Sequence, residues 1–130
     1  MKPPKGQVAI EQGVNVWEHE LHAATALSRA GYKVRFIPTN DSLTSADAYV
    51  DGVIFEFKSP EGSNIKSIQR NIVRALNQSQ NIVIDSFRMK HIQDRSIKNA
   101  LITRLKAGKG IKRLIFVTRK GEVIDINSLI

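Results

Sequence analysis

"ADAYVDGVIFEFKS", residues Ala46 to Ser59, holds Asp47 and Asp51 four residues apart, then Glu56 and Lys58 closing an otherwise apolar run. Asp51-Gly52 between two alternating apolar runs is a strong local signal for a two-residue β-hairpin turn. Such a turn leaves its strands one register, with Val50 opposite Val53, Tyr49 opposite Ile54, Ala48 opposite Phe55 and Asp47 opposite Glu56. Side chains alternate across a strand, so Ala46, Ala48, Val50, Val53, Phe55 and Phe57 share one wholly apolar face. Ser45, Asp47, Tyr49, Ile54, Glu56 and Lys58 share the other. Asp51 sits in the turn, where aspartate tolerates positive φ, and reads as structural. Asp47 is the functional candidate, because two carboxylates directly opposite each other repel. A divalent cation between Asp47 and Glu56 reverses the sign of that interaction, since hard cations take oxygen ligands. Lys58, two residues beyond Glu56 on the same face, is spaced to hold an attacking water or to steady a developing phosphorane charge.

Outward from the hairpin, the chain reads as helix, three strands, helix, strand, helix and two strands. Asn15 is the expected cap of a first helix running to about Ala30 and closed by Gly31. "YKVRFIP" is a strand stopped by Pro38, and "NDSLTS" a polar loop. Beyond the turn residues "SPEGSN", the apolar positions Ile65, Ile68, Ile72, Ala75 and Leu76 predict a second helix to about Gln80. "NIVIDS" is a short buried strand. A third helix from about Asp94 buries Ile97, Leu101, Ile102 and Leu105, and "IKRLIFVT" with "EVIDI" forms a closing hairpin around "RKG". The class is mixed α/β, with one sheet covered by helices. Residues 1–11 read as an N-terminal tail or linker, and residues 12–130 as a single domain.

Composition narrows the function. The chain has 130 residues and no cysteine, so disulfides and thiolate metal sites are excluded and any metal must rest on carboxylates or histidines. Its formal net charge of +8, spread from Arg29 to Lys120, suits a folded domain whose partner is a polyanion, nucleic acid before membrane. No stretch reads as a signal peptide, a membrane span or a basic amphipathic anchor, so membrane anchoring by this domain is not expected.

Glu20 adds a further acid. It falls in the helical row of Trp17, Ala24 and Leu27, where an unpaired buried carboxylate costs several kcal/mol and calls for a partner. Glu20 on a helix, Asp47 on one strand, and Glu56 with Lys58 on the next resemble the PD-(D/E)XK nuclease superfamily, although Ala46 stands where the motif has its proline. "SADAYVDGVIFEFKSP" and "IKSIQRNIVRALNQSQNIVID" are similar to the C-terminal nuclease domains of contact-dependent growth inhibition toxins of the CdiA type. The resemblance covers roughly Glu18 to Asp85. It implies an αβββαβ core, here extended by a C-terminal helix and hairpin. It implies a metal-dependent endonuclease in which Asp47 and Glu56 bind a divalent ion, magnesium first, with manganese or zinc as alternatives. Glu20 helps directly or through water, and Lys58 positions the nucleophile. Toxin members of this kind often cut tRNA, act in the cytoplasm of a target bacterium, and are covered by a cognate immunity protein, here expected to be acidic. A DNA endonuclease of the same fold, or a degenerate nucleic-acid-binding module, are the alternatives.

Lys66, Arg70, Arg74 and Gln78 recur every four residues along the second helix, as a solvated face or as a phosphate track beside the metal. Arg88, Lys90 and His91 read as a mobile basic loop. His19 and His22, in "HELH", are three apart rather than the four of a metallopeptidase helix, and read as surface histidines.

Overall fold

The structure is a computed structural model that describes residues 6–10, 16–37 and 48–130. The chain order is β1 (Gln7–Ala9), α1 (Glu18–Arg29), β2 (Lys33–Phe36), β3 (Ala48–Val50), β4 (Val53–Lys58), α2 (Ile65–Leu76), β5 (Asn81–Asp85), α3 (Asp94–Lys106), β6 (Arg113–Val117) and β7 (Val123–Asp125), then a 3₁₀ turn over Ile126–Leu129. The expected αβββαβ order runs from α1 to β5, and α3 with the β6–β7 hairpin extends it. Among the described residues, the strands form one seven-stranded sheet in sequence order. β2–β3, β3–β4 and β6–β7 pair antiparallel, while β1–β2, β4–β5 and β5–β6 are parallel.

Alternation along the strands sorts the core onto the two sides of this sheet. Phe55, Phe57, Val83, Ile115 and Val117 lie with Ala23, Ala24 and Leu27 of α1 on one side. Ile82, Ile84, Leu114 and Phe116 lie with Ile68 and Ile72 of α2 and Ile97 and Leu101 of α3 on the other.

The hairpin has the expected register, Ala48 opposite Phe55 and Val50 opposite Val53. Asp51 and Gly52 both take positive φ, 50° and 81°, as a type I′ turn demands. Asp51 also ties in the next strand. Its Oδ1 accepts the Lys33 backbone N–H at 2.8 Å, and its own N–H donates to the Lys33 carbonyl at 2.8 Å. Val53 and Ile54, from opposite faces, are both exposed at the tip.

Other expectations are corrected. Residues 7–9 of the expected tail form the edge strand β1, three residues being too short for alternation to register. Its entry requires Gly6, where a Cβ would lie 1.9 Å from the Tyr32 carbonyl oxygen. Helix α1 starts at Glu18 rather than beside Asn15, which lies outside the described residues. Trp17 is the extended N-cap and is 70% exposed, so it is not part of the buried row, which is Ala23, Ala24, Ala26 and Leu27. Helix α2 is capped by the Asn64 side chain and stops at Leu76, leaving Gln78 in the following turn rather than on the helical row. There Ser79 Oγ donates to the Ile54 carbonyl and accepts from the Asn81 N–H, which turns the chain into β5.

Asp51→Asn keeps both the turn preference and the oxygen acceptor, so its unfolding free energy stays within about 0.5 kcal/mol of wild type. Asp51→Ala loses the acceptor and the short polar side chain that lets aspartate tolerate the left-handed region, a loss of about 1–2 kcal/mol by urea denaturation.

Candidate active site

Parallel pairing sets Glu56 beside Ile82 and Lys58 beside Ile84, so both side chains point to the α2 side of the sheet. Glu56 is 1% exposed, so it is not an acid on a solvent-facing hairpin surface. Lys58 Nζ lies 3.3 Å from its Oε2 and keeps some access to solvent. Removing a carboxylate from water is expensive, and one ion pair seldom recovers the full cost, so the arrangement is weak evidence for stability.

Asp47 lies outside the described residues, and the described ladder ends one pair short of it, at Ala48 opposite Phe55. Glu20 is half-buried in the first turn of α1, where its Oε1 accepts the Trp17 backbone N–H at 2.9 Å, a capping role in addition to any other. His19 feels the charges of Arg88 and Glu61, and its pKa is lowered from the ordinary value first by burial and then by Arg88. Among the described residues no three histidine or acidic side chains gather around one point. The donor that is described, an anionic oxygen withdrawn from water, fits a hard divalent cation, with Asp47 and Glu20 as the further candidates.

Beyond Lys58 the chain turns into a polar cavity of about 360 Å³, walled by Ser59, Ser67, Asn71, Arg70, Arg74 and Arg88. Arg88, expected in a mobile loop, has its side chain engaged. Its guanidinium donates to the Ser59 carbonyl through both Nε and Nη2, and Nη1 lies 3.2 Å from Glu61 Oε1. The Lys90 N–H donates to the Gly62 carbonyl. The Ser59 hydroxyl is buried without a hydrogen-bond partner among the described residues. Lys66, Arg70 and Arg74 also border a groove of about 470 Å³ on α2. The structure therefore brings two residues of the expected helical row, Arg70 and Arg74, to the cavity that begins at Ser59, and leaves Gln78 off the helix.

Residues 44–123, a span that includes the hairpin and α2, match the family model of the contact-dependent growth inhibition CdiA C-terminal domain. The chain belongs to the CdiA C-terminal domain family. Its fold is similar to that of a protein in a CdiA-CT/CdiI toxin and immunity complex from Burkholderia pseudomallei. That match has a TM-score of 0.67 at 16% identity and covers 89% of this chain and 96% of the other, a likeness of fold alone. None of the curated proteins matches in sequence. Among the described residues of this CdiA C-terminal domain, no helix is long and apolar enough to cross a membrane.

The domain also holds a cluster that the sequence reading missed. His22, expected at the surface, has both ring nitrogens engaged. Nε2 donates to the Arg119 carbonyl at 3.1 Å, and Nδ1 meets Asp85 Oδ2 at 2.8 Å. Asp85, 2% exposed, accepts the Phe87 N–H at its other oxygen. Phe87 stacks on the His22 ring with centroids 4.4 Å apart. An acid ending the apolar run Ile82-Val83-Ile84 was the available signal, because the carboxyl ends of parallel strands are where α/β sheets gather functional groups.

Burial pushes the Asp85 pKa up to about 6, against the opposing hydrogen bond and charge of His22. A raised carboxyl pKa means that the native state holds its proton more tightly than the unfolded chain. The stabilisation from that proton is full below the unfolded value near 4 and is lost as pH rises through about 6. Wild type relative to Asp85→Asn, measured by denaturant unfolding, is accordingly more stable at pH 4 than at pH 7, by up to about 3 kcal/mol.

Proposed function

We infer that this CdiA C-terminal domain is a metal-dependent endonuclease that cuts RNA, with tRNA the favoured substrate, and that it acts as a toxin in the cytoplasm of a target bacterium. The observation that carries the reading is the buried Glu56 paired with Lys58 at the end of β4, with a cavity whose wall includes three arginines beginning at the next residue, Ser59. A structural domain gains little from such a pair, whereas a hydrolytic site needs a withdrawn oxygen donor, a nearby ammonium and cationic contacts for the phosphate backbone.

Glu56, with Asp47 and Glu20, would hold the divalent ion. When bound, it supplies Lewis-acid polarisation of the phosphoryl oxygens and a more acidic water. Lys58 Nζ, held by the Glu56 carboxylate, orients the attacking water and steadies the charge that develops on the phosphate. Arg70 and Arg74 contact the substrate backbone, and Arg88 fixes the turn that follows Lys58. Such contacts give affinity and register without reading bases. The net charge of +8 fits both a polyanionic substrate and an acidic cognate immunity protein that covers the cleft. Family membership and a structural neighbour solved as a toxin and immunity complex support the toxin role.

The test is digestion of purified tRNA, total RNA and plasmid DNA with magnesium, with manganese and with EDTA. The expected result is tRNA cleavage with a cation, none in EDTA, and a loss of about a hundredfold or more in Lys58→Met. Cleavage of plasmid alone would transfer the activity to DNA. Undiminished RNA cleavage in EDTA would remove the metal-dependent reading.

A further inference from the structure

On the α1 side of the sheet, beyond the ends of β5 and β6, lies a cavity of about 420 Å³ that the proposed chemistry does not use. Phe87 and Leu21, both exposed, supply apolar surface, and Arg29, Arg119 and Lys120 supply positive charge. Glu18 is the acid on its wall. The size suits one nucleotide-sized ligand rather than a duplex, since cavities of roughly 300–1,000 Å³ hold single small molecules.

The aromatic wall is held from behind. Phe87 is 36% exposed, and its ring lies 24° from parallel to the His22 imidazole. His22 cannot turn without breaking its bonds to Asp85 and to the Arg119 carbonyl. Arg119 is fixed in turn, its guanidinium donating to the carbonyls of Met89 and Ile92. A phenyl ring presented in this way, with Arg29, Arg119 and Lys120 on the same cavity wall, has the composition of a base-stacking platform for single-stranded nucleic acid. The alternative role, filling core, does not account for a large ring left over a third in solvent at a cavity mouth.

The cavity is also tied to the candidate active site. Phe87 is followed by Arg88, whose guanidinium grips the carbonyl of Ser59, the residue after Lys58. Phe87, on the α1 side, is thus one residue and one hydrogen bond removed from the turn that follows Lys58 on the α2 side.

We propose that Phe87, braced by His22, stacks an unpaired base of the nucleic-acid substrate while Arg29 and Lys120 meet its phosphate, so that the domain selects unpaired or flipped-out nucleotides beside the cut. The proposal rests on the nuclease reading and adds the substrate class to it. A fully stacked duplex has no free base face to offer, and the specificity is for unpairedness rather than for one base, because every base has a π-face.

The experiment measures affinity in EDTA with Glu56→Gln as the parent, so that no cleavage distorts it. The probes are an RNA hairpin with an unpaired loop, a single-stranded oligonucleotide and a blunt RNA duplex of equal phosphate number. The parent binds the first two more tightly than the duplex. Adding Phe87→Ala or Phe87→Leu weakens loop and single-strand binding by about five- to a hundredfold and leaves duplex binding unchanged, while Phe87→Trp retains the preference. The unchanged duplex affinity reports that the variants are folded. If Phe87→Ala and Phe87→Leu bind all three probes as the parent does, the stacking site is overturned and the nuclease reading stands. If the parent binds none of the probes, both are overturned.

Discussion

The structure depends on a parity set by two residues. A turn of Asp51 and Gly52 admits one register, and that register determines which side of the sheet every later β4 side chain faces. Phe55 and Phe57 go under α1, and Glu56 and Lys58 go under α2. A turn lengthened by one residue would exchange the sets, placing two phenyl rings where the acid and the ammonium belong. The hydrogen bonds between Asp51 and Lys33 extend the same constraint to β2, so the turn aligns three strands rather than two.

From that parity the two faces acquire different work. On the α2 side, a carboxylate withdrawn from water sits against Lys58, and a cavity whose wall includes three arginines begins at Ser59. On the α1 side, Asp85 is buried at the end of β5 and orients His22, which braces Phe87. The polar groups of both faces collect at the carboxyl ends of the parallel strands β4, β5 and β6. Backbone groups there leave the ladder, and loops are free to carry side chains toward a ligand. Arg88 joins the two sides through Ser59. In a domain with two hydrophobic layers, the buried acids Glu56 and Asp85 stand out as groups whose position stability alone does not explain.

Sequence reading recovered what local rules control. The hairpin register followed from the Asp-Gly turn, the buried row of α2 from its apolar spacing, and α3 from its start at Asp94. It missed what distant contacts decide. Whether Glu56 meets solvent or α2 depends on which helix crosses that face, and alternation within one strand carries no such information. His22 and Asp85 are 63 residues apart and meet only through the packing of α1 across β5. Trp17 was assigned to a buried row because periodicity does not locate the first helical residue, and the extended N-cap put it in solvent.

The central claim, that the buried Glu56 carboxylate binds a divalent cation beside Lys58, is tested most directly by melting temperature against magnesium or manganese concentration in wild type and Glu56→Gln. A ligand that binds the native state alone stabilises it by RT ln(1 + [L]/Kd), about 2.7 kcal/mol at a hundredfold excess over Kd. The account predicts a rise in wild type that saturates with cation concentration and is lost in Glu56→Gln. An equal rise in both proteins would contradict it and place the ion elsewhere.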